Sequence, residues 1–428
     1  MKILGITPFV WSKGGIPSLY EIQEEFAKLG HEVHLVAPDI NPLMLSSKKS
    51  FDKKNSKIFV HRFKLPFSLC AYLERLQSTV KTGSKAYFLI GAIKVATLFF
   101  SFTLLSLAES LEIAKKVKPD VVYSHTYLST MAAFLVSRIL GVPHVMRIYG
   151  TAVLGITDSK NILRISPFRL LASPDALFLR IPADLVIITD DGTGGDKVAE
   201  RVGVSPSKIR FWRNGINKHM AQIHFDNLEI RKKLHIPPDK KIILSISRLV
   251  DWKRVDRIIA SLSKVVTQYP NVICLLIGEG PEREKLEKMR DELGLIDYVK
   301  FVGEVSHEKV WEYLSISDIC IFLYDLSNVS NSLLEAMVCG KCVVALNTGW
   351  TGEIVKDGKN GILLDKTELP RLPDIIVGLL NNPKFITKLG RNAQTYALAN
   401  LQTWRERAEM EIKEIKSLVL AKKCKKGR

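Results

Sequence analysis

The stretch from Asp325 to Ala345 places a polar loop and a short helix between two buried strands. An uncharged strand, Ile319 to Tyr324, precedes the loop, and a second apolar run, Cys342 to Leu346, follows the helix. The helix is predicted over 332–338, where the polar residues before it can cap its first turn. Strands joined through a helix are parallel and covered on both faces. The chain is therefore expected to be an α/β protein.

A helix that begins just beyond the carboxyl end of a parallel strand favours anions, because its first N–H groups lack partners and its dipole is positive there. Asn331, Ser332 and Leu333 would supply these N–H groups. Glu335 lies one turn inside, and its carboxylate can accept hydrogen bonds from two vicinal hydroxyls, such as those of a ribose. The stretch predicts a nucleotide site.

This stretch resembles the nucleotide-binding signature of the retaining GT-B glycosyltransferases, the group 1 (family 4-like) glycosyl transferases. The family signature is Glu, seven residues, then Glu-Ala-Met, within a segment that usually ends Gly-x-Pro-Val. Glu335-Ala336-Met337 and Gly340-Lys341-Cys342-Val343 match it. Ser327 stands where the family has its first glutamate, a residue that helps to hold the donor sugar. The resemblance implies a nucleotide-diphosphate sugar donor, with Ser327 at the sugar-contact position.

The start of the chain reads as a βαβ unit. Lys2 to Pro8 is predicted to be a strand, Ser18 to Leu29 a helix and His31 to Ala37 a second strand. Gly14 and Gly15 lie in the loop after the first strand. The whole segment resembles the glycine-rich opening of the same family, in which this loop faces the donor diphosphate, so both glycines are expected to line it.

Two further strand ends carry candidate catalytic residues. His125 follows a strand predicted over 120–124, and Tyr149 follows one predicted over 142–148. In the family a histidine beside the acceptor occupies the position of Tyr149. A phenol can donate a hydrogen bond to a sugar oxygen but is a poor general base at neutral pH. His125 is the nearest histidine by motif, and a structural role for it stays open beside a catalytic one.

Arg248 and Lys253 follow the opening strand of the second half, predicted over 241–247. Five residues apart beyond a strand, they can converge on one phosphate group, or they can be two solvated charges in a turn. Family members have an Arg and a Lys here that neutralise the leaving diphosphate. The resemblance also implies that the backbone around Val305 meets the nucleobase.

The chain has 428 residues, which is too many for one core and suits two domains. The resemblance implies a GT-B fold of two Rossmann-like, doubly wound domains that face each other across a cleft. We expect an acceptor-binding domain over 1–218, a nucleotide-sugar-binding domain over 219–396, and a crossing helix with a basic tail over 397–428, returning to the first domain.

The net charge of +18 indicates an anionic partner. Nucleic acid is not expected, since no zinc-finger, RNA-recognition or helix-turn-helix pattern is present. Cys339 and Cys342 form a CxxC without a second ligand pair, and we interpret both as core thiols. Asp190 and Asp191 lack the Asp-x-Asp of metal-dependent sugar transferases. No metal and no cofactor are therefore expected.

The segment 87–108 carries a single charge, Lys94, over a length that could cross a bilayer. We expect a helix packed in the core, with a helix that dips into the membrane as the alternative. A span is disfavoured, because it would split the first domain across a membrane before its next strand. The start of the chain reads as a strand rather than a signal peptide. With the basic tail from Lys422, these features predict a cytoplasmic protein at the inner face of the cell membrane.

The function that these patterns favour is transfer of a hexosyl group, with retention, to a lipid-linked acceptor or a cell-envelope glycan. One alternative is a non-catalytic relative that binds nucleotide sugars or serves as a partner subunit, which Ser327 and Tyr149 favour. A dinucleotide-dependent oxidoreductase is disfavoured, because no GxGxxG follows either opening strand.

Overall fold

The computed structural model describes residues 1–9, 17–39, 57–65, 85–150 and 178–426. The chain forms two compact units. The first contains Met1–Asp190, Gly195–Arg213 and Trp404–Arg428, and the second contains Asp191–Gly194 and Asn214–Thr403. The C-terminal segment therefore belongs with the first unit, although it follows the second in sequence.

The first unit is built on a parallel sheet with the strand order β3-β2-β1-β4-β5-β6-β7. The strands are β1 Lys2–Ile6, β2 Glu32–Pro38, β3 Ile58–Phe63, β4 Val121–His125, β5 His144–Ile148, β6 Leu185–Thr189 and β7 Ile209–Trp212. Its helices before the second unit are α1 Pro17–Lys28, α2 Lys85–Val117, α3 Thr126–Leu140 and α4 Gly195–Arg201.

The second unit repeats this plan with the order β10-β9-β8-β11-β12-β13, again with parallel pairing. Its strands are β8 Lys241–Ile246, β9 Val272–Ile277, β10 Val299–Gly303, β11 Ile319–Phe322, β12 Cys342–Leu346 and β13 Ile362–Leu364. Its helices are α5 Asn227–Lys233, α6 Val255–Gln268, α7 Arg283–Glu292, α8 His307–Ile316, α9 Asn331–Val338, α10 Thr351–Ile354, α11 Leu372–Leu380 and α12 Pro383–Asn400. The chain ends in α13, Trp404–Lys426.

Apolar periodicity explains how these elements pack. Two interior strands of the second sheet, β11 and β12, are buried along their whole length, as expected for parallel strands covered on both faces. Helix α6 buries Val255, Ile258, Ile259, Leu262 and Val265, whose spacing of three and four residues forms one stripe against the sheet.

Strand order changes direction between β1 and β4 in the first sheet and between β8 and β11 in the second. Ligands of open α/β sheets bind beyond the carboxyl ends of the strands at such switch points. His125 ends β4, and the loop containing Arg248 follows β8. Both candidate groups of residues therefore lie where the topology favours a ligand.

Two segments differ from the sequence-based expectation. Strand β3 was not among the strands predicted from the sequence, and it pairs in parallel with β2. Helix α2 is longer than the predicted 87–108. Among the described residues one segment, Ala96–Val117 in α2, is long and apolar enough to cross a membrane, and 28% of its apolar stretch is buried. The expectation of a helix packed in the core thus holds for one face of α2.

Candidate functional site

Four cations surround the loop that follows β8, and they fall into two pairs. Arg254 and Arg257 both bond to the Asp325 carboxylate, at 3.1 and 2.7 Å. Among the residues that the structure describes, the side chains of Arg248 and Lys253 have no hydrogen bond and no carboxylate within salt-bridge distance. The loop therefore places two basic side chains without a carboxylate partner at the switch point of the sheet.

Lys253 lies in an aromatic corner. Its Nζ atom is 3.5 Å from the ring centroid of Tyr324 and 4.2 Å from that of Trp252. Burial, followed by the positive charge of Arg248, lowers the pKa of Lys253 to about 7, with Asp191 opposing the shift. Rings can stabilise the ammonium but not neutralise it. An anionic ligand would restore the charge of this side chain.

The backbone that carries Arg248 is held by a glycine turn after β9. Gly278 has a φ of +134°, and a Cβ atom there would lie 1.9 Å from the Ser247 carbonyl oxygen. The Leu249 N–H donates to the Glu279 carbonyl at 2.9 Å. A side chain at position 278 would displace the Ser247–Leu249 segment, so the glycine fixes where the guanidinium begins.

Helix α9 presents its N-terminus to the same switch point. Ser330 is the N-cap, and its side chain accepts from the Leu333 N–H at 3.3 Å. Ser332 Oγ donates to the Ile246 carbonyl at 3.1 Å, which ties the first turn to the end of β8. Asn331 Oδ1 accepts from Asn214 Nδ2 at 3.0 Å. The predicted residues 331–333 thus sit beside the strand from which the Arg248 loop departs.

Sequence reasoning missed the residue that shapes the loop before α9. Asn328 is fully buried, and its side chain accepts from the Tyr324 N–H at 2.9 Å and donates to the Leu346 carbonyl at 2.7 Å. Its own N–H donates to Thr351 Oγ1 at 3.1 Å. One asparagine therefore joins three segments, and no pattern in the polar run around it would have distinguished it.

Ser327, at the expected sugar-contact position, is packed rather than open. It is 6% exposed, and its Oγ accepts from the Val329 N–H at 3.2 Å. A Cβ atom at Gly192, whose φ is +81°, would lie 2.1 Å from this Oγ. The close approach of Gly192 leaves no room for a longer side chain at 327 in this arrangement.

Glu335 is connected to the predicted base-binding turn through a histidine. His307 Nε2 donates to Glu335 Oε1 at 2.7 Å. His307 opens α8 two residues after Val305, which is half-buried and packs on the core of the second unit. The structure thus brings Val305 and Glu335 together, and adds His307, whose isolated position in sequence gave no signal.

In the first unit, His125 and Tyr149 are neighbours at the tips of β4 and β5. The Gln23 amide nitrogen donates to His125 Nε2 at 3.2 Å, so His125 Nδ1–H donates to Tyr149 Oη at 2.7 Å. Burial, then Arg147, lowers the pKa of His125 well below its usual value, and burial raises the pKa of Tyr149. Both groups are neutral at pH 7. Since His125 is fully buried, it can act on a ligand only through Tyr149.

Beneath this pair lies a buried ionic cluster that the sequence did not reveal. Glu411 of α13 forms ion pairs with Arg147 and, at 2.9 Å, with Arg407, and it accepts a hydrogen bond from the hydroxyl of Tyr123 at 2.7 Å. The Arg147 guanidinium is 5.3 Å from the ring centroid of Tyr149. Burial, then the charge of Arg147, lowers the pKa of Arg407 to about 8. A charged residue inside the apolar strand β5 was the available signal.

The other residues singled out in the sequence are two glycines, two aspartates and two cysteines. Gly14 and Gly15 lie outside the described residues. Asp190 pairs with Arg213 at 3.0 Å, and Asp191 accepts from the Thr193 N–H at 3.0 Å. In the described ranges no group of three or more His, Cys, Asp or Glu residues could hold a metal ion. Burial raises the pKa values of Cys339 and Cys342 to about 12, so both are protonated thiols.

Comparison with known families agrees with this architecture. Residues 226–396 match the family described as glycosyl transferases group 1, and residues 14–220 match glycosyltransferase family 4. The two matches together span most of the chain and follow the two units. The protein belongs to the group 1 glycosyltransferases and has the GT-B fold.

Among curated relatives, an uncharacterized glycosyltransferase of Methanocaldococcus jannaschii is 31% identical over 216 residues, which cover 48% of this chain and 54% of that protein. The matched region is about half the length of each of the first two curated relatives. An alpha-monoglucosyldiacylglycerol synthase of Acholeplasma laidlawii is 22% identical and is covered over 88% of its length, with 89% of this chain.

A solved structure with the same fold is that of Anabaena HepE in complex with UDP-glucose. The TM-score is 0.69 at 19% sequence identity, and the alignment covers 97% of this chain and all of that one. At this identity the likeness establishes the fold.

Proposed function

We propose that this protein transfers a hexosyl group from a nucleotide-diphosphate sugar to an acceptor with retention at the anomeric carbon. The observation that carries the proposal is the pair Arg248 and Lys253, which lies uncompensated at the switch point where α9 also begins. Supporting it, HepE was solved with UDP-glucose. Retention is proposed because Glu335-Ala336-Met337 matches the signature of the retaining group.

In this proposal the bond between the anomeric carbon and the diphosphate oxygen breaks while an acceptor hydroxyl attacks the carbon from the same face. The departing phosphate oxygen takes up the proton of that hydroxyl. Negative charge develops on the departing phosphate oxygen. Arg248, protonated Lys253 and the N–H groups of residues 331–333 stabilise this charge. They need no metal ion or other cofactor to do so. Glu335 would hold the ribose hydroxyls, with the backbone near Val305 against the base.

The first unit would supply the acceptor side. The Tyr149 oxygen accepts a hydrogen bond from His125 Nδ1–H and keeps its own proton. It can therefore donate a hydrogen bond to a sugar or acceptor oxygen. Because both groups are neutral, they orient substrate rather than exchange protons with it. We propose a lipid-linked acceptor or a cell-envelope glycan, used in the cytoplasm at the inner face of the membrane. The diacylglycerol-related name of the Acholeplasma relative supports a lipid acceptor.

A non-catalytic, nucleotide-sugar-binding role is the second candidate, and the packing of Ser327 against Gly192 favours it. Without a carboxylate at that position, the donor sugar lacks one family contact. A screen of donor hydrolysis over uridine, guanosine and adenosine diphosphate sugars, with a chelator present, distinguishes the two. Turnover of one donor supports the enzyme. Tight binding of a donor without any turnover, with or without acceptor lipids, would favour the binding role.

A further inference from the structure

Helix α2 carries an apolar stripe on its outer face. The stripe consists of Ala86, Leu89, Ile93, Ala96, Phe100, Leu104 and Ala108, all of them exposed. Leu89, Phe100 and Leu104 are 62, 63 and 64% exposed, and Ile93 is 45% exposed. At 100° per residue these seven positions fall within an arc of about 120°. Such a continuous exposed apolar row marks a surface that meets something other than water.

We propose that the α2 stripe docks into the interfacial layer of an anionic bilayer and holds the first unit against it. This inference rests on the proposed function in so far as the acceptor is membrane-bound. It adds the surface that makes the contact and the orientation of the helix in the plane of the membrane.

The length of α2 gives the stripe its position. Its 33 residues extend about 50 Å, whereas the five-residue strands extend about 17 Å. The Val117 carbonyl accepts from Lys2 Nζ at 3.2 Å, so the helix ends at the amino end of β1 and runs back along the sheet. Its C-terminal half buries the opposite face on the sheet, through Phe102, Ser106 and Ser110. The N-terminal half therefore extends past the carboxyl ends of the strands.

That overhang is at the edge of the sheet where His125 and Tyr149 lie, at the ends of β4 and β5. A bilayer that accepted the stripe would thus lie on the side of the first unit that carries His125 and Tyr149, where the proposed acceptor would bind. A membrane-spanning position is disfavoured for α2, because the buried face of its C-terminal half would have to leave the sheet.

Charge selects a bilayer over another protein copy as the partner. The first unit has 37 Lys and Arg against 20 Asp and Glu, a net charge of +17, whereas the second has 25 against 24, a net charge of +1. Almost the whole positive charge of the chain therefore belongs to the unit that bears the stripe. Two such units would repel each other, while an anionic leaflet attracts them.

Exposed lysines continue the surface beyond the apolar part. Lys115 lies on the same arc as the stripe, and Lys116 and Lys118 flank it. Lys423 reaches this end of α2, where its Nζ is 3.1 Å from Asp120 Oδ1. A helix that lies flat in the interface presents its apolar row to the acyl chains and this basic end to the headgroups.

The test is co-sedimentation of the full chain with vesicles of phosphatidylcholine alone or with phosphatidylglycerol, at low and high salt. The double variant Phe100→Ser, Leu104→Ser removes the two largest apolar contacts of the stripe. We expect its partition coefficient on anionic vesicles to fall at least about tenfold, since each lost side chain contributes about that much when fully buried. Part of the wild-type binding should survive high salt.

The matched control is Leu228→Ser, Ile296→Ser, which removes two equally exposed apolar side chains from the second unit, at 70 and 62% exposure. This control should bind vesicles as the wild type does. Both variants should keep their circular dichroism spectra and donor-hydrolysis rates, since none of the four residues is part of the donor site. The vesicle result is thus independent of whether transfer is observed.

Equal vesicle binding by the stripe variant and the wild type would overturn the proposal. So would wild-type protein that stays out of every vesicle pellet. A change of oligomeric state in the stripe variant, measured by analytical ultracentrifugation without loss of vesicle binding, would assign the stripe to a second copy of the chain instead.

Discussion

The two units share one topology but treat charge in opposite ways at their switch points. In the first unit, Arg147 and Arg407 are fully buried and paired with Glu411, and the neutral His125–Tyr149 pair lies above them at the strand tips. In the second, Arg248 and Lys253 stand without partners among the described residues while the core beneath is apolar. The first unit buries its charges in a structural cluster, whereas the second leaves two basic side chains available to an anionic ligand.

The difference indicates a division of labour. A neutral tip recognises hydroxyl groups by hydrogen bonds without competing for their protons, which suits a sugar or acceptor. Two uncompensated cations beside a helix N-terminus suit a diphosphate. Each kind of site is stabilised differently, so substitutions in the two units should affect different measurements.

The largest effect should come from removing the acid of the first unit. Glu411→Ala leaves Arg147 and Arg407 buried without their shared carboxylate, and we expect a loss of about 3–5 kcal/mol in the free energy of unfolding of this unit. Urea denaturation followed by tryptophan fluorescence measures it, since Trp212 stacks on Arg407 at 4.2 Å.

The control for this prediction is Glu414→Ala, one turn further along the same helix. Glu414 pairs with Arg210 at 2.8 Å, but both side chains are about one-third exposed. Its loss should therefore cost at most about 1 kcal/mol. Similar losses in both variants would show that the buried cluster has no special structural role.

The second prediction concerns the free cations. Arg248→Ala and Lys253→Ala should each lower turnover by about two orders of magnitude or more, as expected for a lost transition-state charge contact, while leaving stability nearly unchanged. Lys388→Ala, at an exposed position of α12, serves as the control. Activity near that of the wild type in both site variants would remove the phosphate assignment and with it the contrast between the units.

The candidate residues of the second unit are easier to find from the sequence than those of the first, for a physical reason. Arg248, Lys253 and the start of α9 are adjacent in sequence to the strands that position them, so a local pattern contains the site. The first site depends on Glu411, which lies 264 residues after Arg147 and reaches it only in the fold. A distant contact of this kind leaves no local periodicity.

Two other elements illustrate the same limit. Strand β3 was missed because basic residues interrupt its apolar pattern, and its register with β2 is what identifies it. For α2 the residue pattern predicted an apolar helix. Such a helix can be buried in the core or can contact a membrane, and the pattern is the same in both cases. The structure distinguishes the two roles, because α2 is longer than the strands and extends beyond them. The part that lies along the sheet buries a face on the core.

The third prediction tests the nucleotide side of the second unit. Glu335→Gln should weaken binding of a nucleoside diphosphate by about 1–3 kcal/mol, through damage to a charge-assisted hydrogen bond. His307→Ala should weaken it by about 1 kcal/mol, because the carboxylate loses its 2.7 Å partner and its fixed position. Isothermal calorimetry measures both, with the exposed Glu292→Gln as control. Unchanged affinity in a folded Glu335→Gln protein would exclude the ribose role.

The smallest effect is a pH dependence of donor affinity that comes from Lys253. Its pKa of about 7 in the free protein means that it is mostly neutral at pH 8. A diphosphate binds the protonated form better, so binding must be accompanied by proton uptake. Between pH 8 and 9 the nucleotide phosphates stay fully ionised, since their last ionisation is near pH 6. Affinity should therefore fall about tenfold over this unit of pH, or about 1.4 kcal/mol.

Calorimetry with a nucleoside diphosphate in buffers of different ionisation enthalpy measures both the affinity and the number of protons taken up. Lys253→Arg is the matched variant, because a guanidinium stays charged throughout this range and should flatten the pH dependence. Arg248→Lys should keep it, since Lys253 remains in its aromatic corner. A wild-type affinity that is flat from pH 8 to 9, or an equal slope in Lys253→Arg, would mean that Lys253 carries its charge before the ligand arrives. The ring contacts with Tyr324 and Trp252 would then suffice to keep the ammonium ionised without an anion.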